Sequence, residues 1–503
     1  MPETRETFPS LPATESVAEA DLVTSTELSS IVDDTSAAPE VFEEIWPAIR
    51  EALRGSHRDY TVGPIGRSVI LLAIPMVLEM LMESLFAVAD IYWVSHLRNP
   101  DAVATVTITE SLLTFMYALA IGLSIGAAAM VARRIGEKNP EGAATVAVQA
   151  LILGLLVSAV FAAVGVPLAP KLLALMGGSP WVIQHGVNFT RVMLAGNATI
   201  IMLFLINSIF RGSGDAAIAM RVLWLANGIN IVLGPCFIFG IGPFPKMGVV
   251  GGAVATNIGR GIGALYAFSR LVGSGGRFSI GRSLLRVKPT IMARMIRLSS
   301  TATFQVFISM VSWVGLVRTV SSFGSNAVAG YGIGIRVIIF AILPSWGMSN
   351  AAATMVGQAL GARNPERAKK AVWTASLYNM ICLGAVGLIF VIFTRPIIEF
   401  FTSDPNVIPY GIDCLRTVSY GFIFYGCGMV LTQSFNGAGD TWTPTIINLF
   451  VFWLFELPLA YALAIHFKFG PQGVFLAIMI AFSSLAVVSA IMFRRGHWQT
   501  KSV

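Results

Sequence analysis

Three carboxylates, Glu79, Glu83 and Asp90, stand in one strongly apolar stretch from Val69 to Val94 that contains no Lys or Arg. On a helix turning 100° per residue they fall within about 40° of one another, so a single face carries all three. That face cannot meet lipid, because an ionised side chain at bilayer depth costs about 2.5 kcal/mol or more even on the most lenient scale. It must face a polar cavity, carry protons or bind cations. Two further acids, Glu110 and Glu456, stand alone in other apolar runs. An unpaired carboxylate in a cavity attracts organic cations, and Trp313, Trp346, Tyr425 and Trp453 can add cation–π contacts. Arg336, deep in another apolar run, is expected to pair with an acid or to contact an anionic group on a substrate or lipid. Glu110, Glu456, Trp313, Tyr425 and Arg336 are therefore the predicted substrate-cavity residues.

The elements that position these groups are membrane helices. Of 503 residues, 55% are hydrophobic and 12% charged, and the mean hydropathy is +0.74. This composition excludes an ordinary soluble enzyme. Windows of about 19 residues give twelve apolar spans, which occupy most of the chain after residue 67. Lys and Arg crowd into one alternate set of connections, for example Arg133, Arg134, Lys138, Arg211, Arg270, Arg294, Arg363, Arg367 and Arg494. The opposite set holds Arg98, Lys171, Lys246, Arg318, Arg395 and Lys468. The positive-inside rule then predicts a multi-pass protein of the cell inner membrane with both termini cytoplasmic. The basic pI near 9.3 is accordingly read as topology and not as nucleic-acid binding.

Residues 1–38 are acidic and poor in apolar side chains, and are expected to be a disordered tail and no signal peptide. From 39 to 60, Phe42, Ile45, Trp46, Ile49 and Leu53 follow helical spacing beside Arg50, Arg54 and Arg58. That pattern predicts an amphipathic helix lying on the membrane surface or docked on the protein's own loops. Cys236, Cys382, Cys414 and Cys427 lie in or at the ends of apolar spans without metal-ligand spacing, and read as small core residues.

An internal repeat divides the spans. Gly136-Glu-Lys-Asn-Pro-Glu141 recurs as Gly361-Ala-Arg-Asn-Pro-Glu366, an offset of 225 residues. The same offset superposes Arg211-Gly-Ser-Gly-Asp215 on Asn436-Gly-Ala-Gly-Asp440, Arg191 on Arg416, and Gly248 on Gly473. The predicted fold is an all-α polytopic membrane protein, with twelve transmembrane helices in two pseudo-symmetric six-helix bundles. The lobes are 68–270 and 293–495, joined by a cytoplasmic linker at 271–292. Asp215 and Asp440 are expected to cap the helices that follow them. The acids are not duplicated: at the repeat offset Glu79, Glu83 and Asp90 correspond to Phe304, Ile308 and Gly315. Structural roles recur in both halves whereas a coupling-ion site need exist once, so the asymmetry favours a functional reading of the acids.

Enzyme signals are poor. Gly122-Leu-Ser-Ile-Gly126 matches a nucleophile-elbow pattern formally, but it lies inside an apolar span where small residues serve helix packing. No phosphate-binding loop or HExxH zinc motif is present, so transport energy would have to come from an ion gradient or a partner.

Over roughly residues 65–495 the chain resembles the multidrug and toxic compound extrusion family. The resemblance rests on Ala73-Ile-Pro75, on Asp90 within Ala89-Asp-Ile-Tyr-Trp-Val-Ser95, on Arg211-Gly-Ser-Gly-Asp215, and on Val356-Gly-Gln-Ala-Leu-Gly-Ala-Arg-Asn-Pro-Glu366. Tyr331-Gly-Ile-Gly-Ile-Arg336 looks like the DNA-damage-inducible-F-type prokaryotic branch. That resemblance implies a proton or cation site at Asp90 with a fifth-helix partner at Asn230. The family's fifth-helix acid is Gly234 here, which weakens a sodium reading unless Glu83, Glu79 or Asn207 compensates. The seventh- and tenth-helix acids of the other branch are replaced by Ser309 and Tyr425.

Together these readings predict an alternating-access antiporter, not an enzyme, exporting organic cationic amphipathic compounds in exchange for protons or sodium. It needs no cofactor beyond the coupling ion, H+ or Na+, and works as a monomer among membrane lipids. Asp90, Glu83, Glu79, Asn230 and Asn207 are the predicted coupling residues, with Asp90 and Asn230 the sodium ligands if sodium is used. The alternatives are a flippase for lipid-linked precursors, which would need a cationic cavity, and a passive channel.

Overall fold

The structure is a computed structural model and describes residues 47–55, 59–97, 99–273, 277–281 and 286–501. The acidic tail 1–38, and Phe42, Ile45 and Trp46 of the predicted surface helix, lie outside the described residues. Twelve helical passes follow one another among the described residues. They are α1 (Ile65–Ser95), α2 (Pro100–Gly136), α3 (Pro140–Leu175), α4 (Val182–Ser213), α5 (Ala216–Phe239) and α6 (Val249–Val272). The second set is α7 (Pro289–Ser321), α8 (Ser325–Gly361), α9 (Pro365–Ile392), α10 (Ile408–Ser419 with Phe422–Gly437), α11 (Trp442–His466) and α12 (Pro471–Arg494).

Ten of these are long and apolar enough to cross a membrane unaided, and α10 becomes the eleventh when its two halves, bent by 57°, are taken as one span. The remaining helix, α6, has 24 residues, which is ample length, but it carries Arg260 among several glycines. An all-helical architecture is what a spanning chain requires, since only internal hydrogen bonds satisfy its backbone in hydrocarbon.

The repeat is visible in backbone geometry. Asn139 accepts a hydrogen bond from Gly142 N at 2.7 Å and Asn364 accepts one from Arg367 N at 2.9 Å, each starting a helix with Pro at its first position. The residues before them, Lys138 and Arg363, both take positive φ, 56° and 58°. Gly214 and Gly439 match in the same way, at 90° and 82°. One pairing needs correction. The positive-φ glycine that precedes α6 is Gly248, and its counterpart before α12 is Gly470, not Gly473. Gly473 occupies the place of Gly251, each pressed against the backbone of the preceding helix, so the repeat offset has fallen from 225 to 222 by the start of α12.

The capping expectation holds unevenly. Asp440 accepts from Thr443 N at 3.4 Å and from the Thr443 hydroxyl at 2.7 Å, whereas Asp215 accepts from Ser213 and pairs with Arg277 at 3.6 Å. Of the cysteines, Cys414 is buried but Cys382 is exposed, so the core reading fails for Cys382. Of the predicted surface helix the described part, 47–54, is helical and buries Ala48 and Ala52 while Leu53 is exposed. It docks through Arg221, which donates to the Leu53 carbonyl at 2.7 Å, and through a Glu51–Arg67 pair at 3.1 Å.

The lobes meet through α1 against α8 and α2 against α7 and α8. Glycines make that contact close. Gly122 and Gly126, one turn apart on α2, receive Thr303 and Ser299 of α7, which accounts for the nucleophile-elbow lookalike as packing. At the basic end, Gly136 of α2 lies against the Gln358 backbone of α8, and Gln358 Nε2 donates across to the Gly212 carbonyl at 3.0 Å. Gly136→Leu is therefore expected to destabilise the protein by about 1–3 kcal/mol, the usual cost of overpacking. A lowered thermal midpoint in detergent measures it, and an unchanged midpoint would mean that the basic end is looser than described.

Candidate functional site

Helix α1 runs along the lobe interface with Pro75 inside it, and its polar stripe climbs from Glu79 to Asp90, eleven residues or about 16 Å. The stripe is not one site. Glu79 is 1% exposed, and Arg211 of α4 approaches its Oε1 at 2.5 Å while Asn207 Nδ2 donates at 3.4 Å. The second oxygen, Oε2, has no hydrogen-bond partner. One turn on, Glu83 accepts from Asn227 Nδ2 of α5 at 2.9 Å and from Arg260 Nη2 of α6 at 3.2 Å. Asp90, a further two turns on and half-buried, has no hydrogen bond or ion pair among the described residues. Asn207 thus serves Glu79 and not Asp90.

Asn230, the implied partner of Asp90, turns its amide to Thr256 Oγ1 at 2.9 Å, and Thr256 in turn donates to Gly252 O at 3.0 Å. At Gly234, a Cβ would lie 3.7 Å from Trp93 and 3.9 Å from Asn230 Oδ1, so the place of the missing acid has room and faces the expected neighbours. No cluster of three or more His, Cys, Asp or Glu suited to a metal occurs among the described residues. The group around Asp90 fits sodium poorly: it offers one carboxylate, one amide oxygen and a hydroxyl that already accepts from Asn230, with a glycine where a second acid would stand.

Between the lobes lies a cavity of about 180 Å³ bordered by Glu79, Glu83 and Arg211 from one side and by Asn350, Gln433 and Asn436 from the other. The C-terminal carboxamides are chained, Asn436 to Gln433 at 2.8 Å and Gln433 to Asn350 at 2.8 Å. Asp90 is not part of this lining.

A second cavity, about 390 Å³, opens inside the C-terminal lobe. Glu456 reaches it from α11 and is 3% exposed, with Ser312 Oγ of α7 donating to Oε2 at 2.9 Å. The helix departs from α geometry there: Leu449–Glu456 is a π-helical stretch, the kind of irregularity that re-aims side chains at functional positions. Trp313, Trp346 and Tyr425 line the same cavity, and Tyr425 stacks on Phe482 with ring centroids 3.8 Å apart. No Lys or Arg lines it. Ser309 and Tyr425, which replace the other branch's acids, both face this space.

Two predicted cavity residues, Glu110 and Arg336, and one of the aromatics offered for cation–π contact, Trp453, are placed elsewhere. Glu110 is exposed and lines neither cavity, but it lies within electrostatic reach of Asp90 and of Tyr117 on its own helix, so it belongs with the acids of the N-terminal lobe. Arg336 is exposed and without an ion pair among the described residues. It stands one turn before Ile339, the first residue of α8 in the cavity wall, and is not itself part of that lining. Trp453 donates Nε1 to the Ile308 carbonyl at 2.9 Å and is a packing residue. Arg260, Asn227 and Ser312 were missed. For Arg260 the signal was available: a lone Arg inside an apolar span needs an acidic partner. Asn227 and Ser312 carry no comparable mark.

The MatE family model matches residues 75–236 and 301–462, one match in each lobe. The chain is 25% identical to a probable multidrug resistance protein NorM of Thermotoga maritima, covering 88% of this chain and 95% of the relative. It is 24% identical to an FAD transporter of Shewanella oneidensis, covering 83% and 92%. A solved structure described as the outward-facing conformation of a multidrug resistance MATE family transporter of the MOP superfamily superposes with a TM-score of 0.82 at 28% identity, covering 87% of this chain and 96% of the other.

Proposed function

The chain belongs to the MatE family of membrane transporters, and from that premise we propose that it exports organic cationic amphipathic compounds by alternating access, in exchange for protons or sodium ions. The observation that carries the substrate class is the C-lobe cavity, where the buried carboxylate of Glu456 meets Trp313, Tyr425 and Trp346 and no Lys or Arg. A monocation with an apolar body matches such a wall, by charge at Glu456 and by ring faces elsewhere. The observation that supports coupling is the imbalance in the other lobe. Glu79 pairs with Arg211 and Glu83 with Arg260, whereas Asp90 makes no ion pair among the described residues.

Charge delivered to Asp90 would alter the cost of keeping α1 in its present path, and Pro75 gives that helix a place to bend. The basic end of the molecule supports a cytoplasmic placement of both termini in the inner membrane. A flippase for a pyrophosphate-linked lipid, or an exporter of an anionic nucleotide, would need a cationic cavity, and Glu456 opposes both.

Reconstituted protein tests this reading. With a pH or sodium gradient imposed separately, liposomes are expected to accumulate a cationic dye and to ignore flavin adenine dinucleotide. Accumulation of the dinucleotide alone would reverse the substrate assignment, and dissipation of the gradient without accumulation would make the protein a channel.

A further inference from the structure

Arg260 is a cation placed where an ion-coupled lobe would hold its ion. It comes from α6 and its side chain is 3% exposed. One of its donors, Nη2, binds Glu83, and Tyr117 of α2 lies against the guanidinium, whereas Nε and Nη1 make no hydrogen bond of regular geometry among the described residues. Buried guanidinium donors left open are costly, so they mark a position that a second acceptor is meant to fill. The register of α1 identifies that acceptor. The guanidinium stands over the Phe86 ring, 5.3 Å from its centroid. Phe86 lies three residues after Glu83 and four before Asp90 on the same face. The charge therefore sits between the two carboxylates, held to one and with free donors for the other.

The surrounding groups agree with that role. Across the lobe, Asn230 spends its Nδ2 on Thr256, and Gly234 offers no side-chain ligand. Three acids on α1 face two guanidiniums, Arg211 and Arg260, and Glu110 of α2 adds its charge beside Asp90, so the acids of this group outnumber the fixed cations paired with them. A proton cancels that excess without occupying space. A metal ion would lack the second carboxylate that Gly234 fails to supply and would lie close to a fixed guanidinium.

We propose that Arg260 is a tethered cation that takes the place of a bound metal ion in the N-terminal lobe, so that the first-helix carboxylates couple to protons and reject sodium. The proposal rests on the antiporter reading and names its ion. Arg260 acts as a specificity-determining residue: it neutralises Glu83, and it repels any second cation from Asp90.

Equilibrium binding of radioactive sodium to purified protein tests this without transport, with N-methyl-glucamine chloride holding the ionic strength. Wild type is expected to show no saturable binding. Arg260→Gln exposes Glu83 and Asp90 together and is expected to bind sodium saturably, and adding Asp90→Asn is expected to remove that binding. Arg260→Lys keeps the charge and is expected to behave as wild type. Saturable sodium binding by wild type that Asp90→Asn abolishes overturns the proposal. So does an Arg260→Gln protein with an unchanged gel-filtration profile and thermal midpoint that binds no sodium. If Arg260→Gln does not fold, the wild-type and Arg260→Lys measurements still decide, since saturable binding by either overturns the proposal. Dye uptake under a pH gradient in sodium-free buffer, run in parallel, separates this result from failure of the antiporter reading.

Discussion

Asp90→Asn is expected to cut gradient-driven accumulation of a cationic dye by at least about tenfold, a change of ~1.4 kcal/mol or more in the coupling. The reason is the charge arrangement along α1. Glu79 and Glu83 have guanidinium partners at 2.5 and 3.2 Å, and Asp90 has none among the described residues. An amide at position 90 cannot gain or lose charge, so the lobe would present the same net charge whichever side of the membrane it faces. Substrate binding, which belongs to the other lobe, is expected to persist in equilibrium titrations. The matched control is Glu79→Gln, which strands Arg211 beside a buried neutral group. Breaking a buried pair typically costs about 3–5 kcal/mol of stability. That variant should therefore lower the thermal midpoint, whereas Asp90→Asn should not. Dye pumping by Asp90→Asn vesicles at the wild-type level would end the coupling role.

Glu456→Gln is expected to weaken binding of a monocationic dye by about tenfold to a hundredfold, since a hydrogen bond to a charged group contributes ~1.5–3 kcal/mol. A neutral analogue of the same shape should lose almost nothing, because Trp313, Tyr425 and the stacked Phe482 remain. The comparison of charged with neutral ligand isolates the carboxylate from any general loosening of α11, which Ser312 helps to position through its 2.9 Å hydrogen bond. Fluorescence titration of the two dyes against both proteins reads it. Equal losses for both ligands would assign Glu456 to structure and leave the cavity without a charge-recognising group.

Much of the architecture was legible because membrane solvent imposes few solutions. Long apolar runs specify helices, and the repeated Asn-Pro-Glu segments mark two equivalent helix starts, seen in the paired caps of Asn139 and Asn364. The first-helix acids were legible for a similar reason, as charges in hydrocarbon stand out. Arg336 misled because depth along a span does not say which way a side chain points. Glu110 misled for a related reason, as spacing along a span does not say whether an acid joins a cavity wall or, as here, stands near another acid. The offset that equated Gly248 with Gly473 failed because a short deletion shifts register without altering the helices on either side.

The sequence by itself determined that this is a two-lobe helical membrane protein and that Glu79, Glu83 and Asp90 share one face of its first helix. Both follow from local rules, hydropathy and the 3.6-residue turn. Only the tertiary structure decided that these acids differ. Arg211 and Arg260 lie 132 and 177 residues beyond their partners, and Asn227 lies 144 beyond Glu83. Pairing across such separations depends on which helices pack together. It left Asp90 without an ion pair among the described residues, and it placed Glu456 in a cavity of the other lobe.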